Sequence, residues 1–143
     1  RKISNKVLKF FDGKILHKIF IKEKFDVEIA FLEGYATKLI SGSLYNSRKI
    51  AWVHADFKNY HWTNKMFTLD EEKKYYEKFD KIVCVSKLCL KSFKNIFGFE
   101  EKLNVIYNVL DKSLESYDKF NFKNVFKEFK TTKGCKLRQA FRT

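Results

Sequence analysis

At 143 residues, with 45% hydrophobic and 33% charged side chains, the chain has the length and composition of one folded domain. Its formal net charge of +13 is unevenly spread: residues 1–24 carry 8 basic and 2 acidic side chains, residues 25–111 carry 13 and 12, and residues 112–143 carry 9 and 3. A near-neutral body between two basic ends argues against a nucleic-acid binder, which would carry the charge on its folded surface, and leaves open either an anionic membrane surface as partner or simply solvated lysines.

Three cysteines without CxxC spacing argue against a disulfide framework or a zinc site, and Cys84, inside an apolar run, reads as a small buried residue. This usage fits a reducing cytoplasm. No apolar stretch approaches the ~18 residues of a membrane span, and no signal peptide is visible. The first residue is Arg1, so a piece of a longer chain is expected. There is no proline, where average usage would give about seven.

Residues 1–24 carry a helical stripe in which Ile3, Val7, Phe11, Ile15 and Ile19 recur every four positions, with lysines filling much of the other face. Asp12 and Gly13 divide it into two helices, Asp12 capping the second. Such a basic amphipathic segment either packs its stripe on a sheet or lies on a membrane. Asp26 to Glu33 is the first strand, its apolar run broken only by Glu28. The turn at Gly34 allows a sharp change of direction or close approach to a ligand. A short helix over Ala36 to Ile40 and a polar loop from Ser41 to Ser47 follow.

The run Ile50, Ala51, Trp52, Val53 has no polar face, so it is expected to be a strand buried on both sides, as in a parallel sheet. It ends at His54. The loop after it is rich in rings (Phe57, Tyr60, His61, Trp62, Phe67), which either line a pocket or cover the edge of the core. Thr68 followed three residues on by Glu71 is a capping-box signature. The helix it opens runs to about Phe79, with Leu69, Tyr76 and Phe79 inward. Lys81 to Ser86 is the third strand. Ser86 caps a helix bearing Leu90, Phe93, Ile96 and Phe97, which Gly98 terminates. Leu103 to Tyr107 is the fourth strand. Beyond it, Phe122, Val125, Phe126 and Phe129 fit a helical face, and residues 131–143 show no period.

Strand starts some 20–30 residues apart, with helices between, are the spacing of βαβ units. The fold class is therefore α/β, with a parallel sheet of about four strands flanked by helices. Ligands of such sheets bind beyond the carboxyl ends of the strands, where Glu33, His54, Ser86 and Asn108 would gather. There His54 either hydrogen-bonds a ligand, as an imidazole can by donating or accepting near neutral pH, or merely closes the strand. Asp56 either assists it or is an exposed loop carboxylate. Ser86 either only caps its helix or helps that N-terminus hold an anion. Neither His17 nor His61 has an evident partner. No metal cluster, phosphate loop or nucleophile–base pair stands out.

The segments FDVEIAFLEG, KIAWVHAD, FDKIVCVSK and LNVIYNVLD, in this order and spacing, resemble bacterial family-4 glycosyltransferases over about residues 14–111. The resemblance implies a partial Rossmann-like, acceptor-side domain of a retaining two-domain GT-B enzyme at residues 1–111. Residues 112–143 are then a diverged linker or basic tail. Such enzymes move a sugar from a nucleotide-sugar donor to a surface glycan or lipid acceptor, in the cytoplasm or at the inner membrane face. The matching positions imply His54 at the catalytic cleft, Glu33, Gly34, Asp56 and Ser86 on the acceptor wall, and Asn108 and Asp111 at the hinge to the second domain. No cofactor is implied for this chain, because the nucleotide sugar belongs to the other domain. This chain alone is then expected to be inactive. The early glycine-rich strand and turn of the family are absent, so a sheet edge is expected either to self-associate or to be covered by a terminal segment. The alternative is a non-catalytic remnant that binds a membrane or a partner.

Overall fold

The structure is a computed structural model and describes residues 5–108 and 137–140. Five strands form one sheet in the order β4-β3-β2-β1-β5: β1 is Val27–Ala30, β2 Arg48–Val53, β3 Lys81–Cys84, β4 Leu103–Val105 and β5 Leu137–Ala140. Every neighbouring pair is parallel. The four expected strands are present; β1, β3 and β4 are shorter than expected, whereas β2 begins two residues before the apolar run, at Arg48. The fifth comes from the stretch without periodicity and pairs along the outer edge of β1. That edge is therefore covered by a terminal segment, the second of the two outcomes expected for it.

Among the described residues five α-helices accompany these strands, α1 Asn5–Phe10 and α2 Gly13–Phe20 before β1, and α3 Tyr35–Ser41, α4 Leu69–Tyr76 and α5 Lys87–Phe97 between successive strands. Alternate strand residues separate two cores. Ala30, Ala51, Val53, Ile82 and Cys84 pack with Leu16, Leu39, Ile40, Tyr76, Phe93 and Phe97 from the helices. Val27, Ile29, Ile50, Val83 and Ile106, with Trp52 against them, form a second cluster that includes no helical residue. The described helices therefore share one face of the sheet. Strands β1 to β4 step across it in a single direction, and right-handed crossovers then put each connecting helix on the same side.

The local signals hold where caps define them. Thr68 and Glu71 form the reciprocal capping box that opens α4. The Ser86 hydroxyl accepts from the Cys89 N–H at 3.0 Å and opens α5, and Gly98, at φ 81°, ends it. Asp12 precedes α2 as expected, but its side chain makes no capping bond; only its carbonyl takes the Leu16 N–H.

Two expected faces are turned. Leu69, placed inward by periodicity, is 47% exposed, whereas Tyr76 and Phe79 are buried. On α2 the buried residues are Gly13, Leu16 and His17, while Ile15 and Ile19 of the four-residue stripe are 46% and 50% exposed. Two contacts set that rotation. At the crossing of α2 over α3, a Cβ on Gly42 would lie 2.0 Å from the Gly13 carbonyl carbon, so the backbones touch. One turn further on, His17 reaches down to Glu28 on β1 at 2.6 Å.

Candidate functional site

The parallel register brings Ala30 beside Ala51, and Cys84 beside both Val53 and Val105. The segments that leave β1, β2, β3 and β4 therefore depart from one edge, and Glu33, His54, Ser86 and Asn108 follow those strand ends within three residues.

Glu33 is buried, and its carboxylate is committed to backbone. Oε1 accepts the N–H of His54 and, at 2.7 Å, the N–H of Ala55. It therefore staples the exit of β1 to the exit of β2, which the acceptor-wall role expected for it did not include. Gly34, at φ 82°, makes the turn into α3, and a Cβ there would stand 3.2 Å from the Trp62 ring. The close approach that only glycine permits is thus made by the aromatic loop.

His54 points to the face opposite the helices, as Trp52 does. Its half-buried ring stands edge-on to Phe31 at 5.2 Å, and Phe31 in turn lies 5.4 Å from Trp52. Nδ1 is buried and makes no hydrogen bond among the described residues. Buried polar atoms are nearly always paired, so this one is an exception that asks for a partner. From the helix side, the Cys89 sulfur lies 3.4 Å from the Val53 carbonyl and 3.3 Å from that of Ala55. The backbone on both sides of His54 is therefore held, by Glu33 through its N–H groups and by Cys89 through the flanking carbonyls. The Cys84 thiol, beside Cys89, is pushed far above its ordinary range by their hydrogen bond and by burial.

Asp56 shapes the loop beyond. Its carboxylate accepts the Lys58 N–H at 3.1 Å and the Asn59 amide at 2.6 Å, and its carbonyl accepts the Tyr60 N–H at 2.8 Å. Desolvation works to raise its pKa, but the hydrogen bonds from Asn59, Ser92 and Lys58 together hold it below the ordinary value. Ser86 is engaged as the α5 cap. Asn108 is exposed beyond β4, and Asp111 lies outside the described residues. The ring-rich loop divides: Phe57 and Phe67 are buried, while Tyr60 is exposed.

The other two histidines have partners. His17 Nε2 and Glu28 Oε2 are 2.6 Å apart, and Glu28 Oε1 accepts from Ser43 at 2.7 Å and Ser47 at 2.6 Å. His61 Nε2 lies 2.5 Å from the buried Glu72 carboxylate, its ring edge-on to Phe57 at 4.8 Å. The charged residue inside an apolar strand was the visible signal for the first pair. Nothing in the spacing marked the second, nor the part played by Cys89.

A separate open cavity of about 500 Å³ is lined by Lys9, Lys38, Asn64, Lys65, Met66, Phe67, Thr68, Leu69 and Glu71, and by none of the expected site residues. Lys38 donates to the Leu8 and Lys9 carbonyls, each at 3.1 Å, at the end of α1. Desolvation lowers its pKa, against the opposing pull of Asp12 and Glu71. Among the described residues no cluster of three or more His, Cys, Asp or Glu is placed to hold a metal, and no helix is long and apolar enough to cross a membrane. No family model, curated protein or solved structure matches the chain.

Proposed function

We propose that this chain is the acceptor-side part of a retaining sugar transferase, with His54 facing the reacting sugar. The observation that carries the reading is the His54 ring: its Nδ1 is buried and unbonded at the carboxyl edge of a parallel sheet, on a backbone held by Glu33 and Cys89. An imidazole so placed offers a donor or an acceptor to a hydroxyl or phosphate oxygen. Strand ends of open parallel sheets are where such ligands bind. The four segments that resemble family-4 glycosyltransferases contribute the strands and exits of this same edge.

In this reading Glu33 and Cys89 are positioning residues. Asp56 and Ser86 shape the loops around the acceptor, and Gly34 admits the Trp62 ring to the turn. Sugar transfer needs donor and acceptor held together, and that positioning supplies much of the rate. The donor-binding part is not among the described residues, so the chain alone is expected to bind acceptor without turning over nucleotide sugars.

Saturation-transfer NMR with a panel of methyl hexosides and detergent-solubilised hexosyl lipids tests the reading. Binding is expected from at least one acceptor class, lost in His54→Ala while the circular dichroism spectrum is unchanged. Failure of every acceptor to bind, or binding indifferent to His54→Ala, would overturn the proposal. Turnover of a nucleotide sugar by the purified chain would overturn the division of labour.

A further inference from the structure

α2 presents two opposed faces. Leu16 and His17 are buried against the sheet and α3, while Lys14, Ile15, Lys18 and Ile19 are exposed, with Lys22 just past the helix end. At 100° per residue these exposed positions fall on one continuous sector, Ile15 and Ile19 along one side and Lys14 and Lys18 along the other. Phe10, at the α1–α2 corner, is 87% exposed. Lys14, Lys18 and Lys22 make no ion pair with a described residue. Across residues 9–24 the exposed charges are Lys9, Lys14, Lys18, Lys22 and Lys24 against Asp12 and Glu23.

We propose that this outer face of α2, with Phe10, docks on an anionic lipid bilayer. The chemistry selects that occupant. Isolated exposed apolar side chains are common, but three large ones interleaved with unpaired lysines match the headgroup region, where acyl chains take the rings and branches and phosphates take the ammonium groups. A second copy of the chain would set these lysines against their own kind. A nucleic-acid backbone would satisfy the lysines and leave Phe10, Ile15 and Ile19 without a partner. The proposal does not rest on the sugar-transfer reading, since none of these residues belongs to the His54 edge.

Vesicle flotation of the full chain tests it, using phosphatidylcholine alone or mixed in equal parts with phosphatidylglycerol. Binding to the mixed vesicles only, weakened by added salt, is expected. The double variant Ile15→Ser/Ile19→Ser should weaken it about tenfold, since each side chain is already half buried. Lys14→Glu/Lys18→Glu should weaken it about thirtyfold or more, at roughly 1 kcal/mol per lysine. All four positions are exposed, so folding is checked by circular dichroism rather than assumed. Unchanged lipid binding in both variants would place the contact elsewhere and overturn the proposal. So would tighter binding to duplex DNA than to the mixed vesicles, or a dimer in light scattering that Ile15→Ser/Ile19→Ser dissolves.

Discussion

Two histidine–glutamate neighbourhoods of this molecule are built from the same residue types and come out opposite. Between α2 and β1, the Glu28 carboxylate takes the imidazole of His17 and the hydroxyls of Ser43 and Ser47, so the group is fully buried and saturated. At the exits of β1 and β2, the Glu33 carboxylate takes the backbone N–H groups of His54 and Ala55 and leaves the His54 ring unbonded at Nδ1. The carboxylate's choice of partner separates the two. Where it binds the ring, the histidine is a structural bolt; where it binds the chain beneath, the ring is presented and held in reserve. A buried histidine beside a glutamate is therefore no evidence of chemistry until the bond has been assigned.

The largest expected effect breaks the saturated side. Glu28→Ala would strand buried His17 and Ser47 and half-buried Ser43 without their acceptor, at a cost of about 3–5 kcal/mol. Urea denaturation should show a correspondingly lower midpoint, or a chain that no longer folds. A loss under about 1 kcal/mol would mean that the network is not a bolt.

On the other side Glu33→Ala leaves two part-buried backbone donors without their acceptor, and about 1–2 kcal/mol is expected. Glu33→Gln keeps one acceptor oxygen and should recover much of it. The informative signature is local. Hydrogen exchange at His54 and Ala55 should quicken in Glu33→Ala by more than it does across β3. Uniform loss of protection would make Glu33 a general core residue rather than a support for the His54 turn.

How much of this was legible in the sequence follows from where each signal resides. The strands at Ile50–Val53 and Ile82–Cys84 were visible because Ile50 and Val83 are buried on one face of the sheet and Val53, Ile82 and Cys84 on the other, which demands unbroken apolar runs. The caps at Thr68 and Ser86 were visible because capping is local, within three residues. Strand β5 was not visible: LRQA has two polar residues in four, and it is a strand because the edge of β1 offers unpaired backbone. The rotation of α2 was hidden for a similar reason. It is set by the Gly13–Gly42 crossing and by Glu28, eleven positions beyond His17, whereas periodicity sees only the helix itself. At the site, the positions of Glu33, His54 and Ser86 at one edge were legible from strand direction alone. That Glu33 would spend its carboxylate on the backbone, with Cys89 completing the grip, depends on contacts across 21 and 34 positions or more.

His54→Ala sharpens the comparison with a near-silence. Among the described residues the ring makes one edge contact with Phe31 and no Nδ1 hydrogen bond, so its removal forfeits some packing while relieving a buried unpaired atom. Stability is expected to change by no more than about 0.5 kcal/mol, against a clear loss for His17→Ala, whose removal leaves Glu28 without its imidazole. Equal losses for the two histidines would erase the distinction between bolt and reserved ring.

The smallest effect asks what burial contributes when the bond is the same. Glu71, like Glu33, accepts a backbone N–H, here that of Thr68 at 2.7 Å, but it does so on the surface. That bond holds its pKa below the ordinary 4.5, against a weaker opposing desolvation, with help from the Thr68 hydroxyl, Lys38 and Lys9. A carboxyl whose folded pKa is depressed lends stability above its unfolded value and loses it as pH falls through the folded one. Glu71→Gln should therefore cost a little at pH near 7, at most about 0.5 kcal/mol after solvent screening, and nothing measurable once both forms are protonated in acid. Melting temperatures of the two chains, measured stepwise from neutral pH downward, should begin to converge near the ordinary value of 4.5 and meet only below the depressed folded pKa. If the gap instead persists into acid, the capping geometry and not the charge stabilises the start of α4.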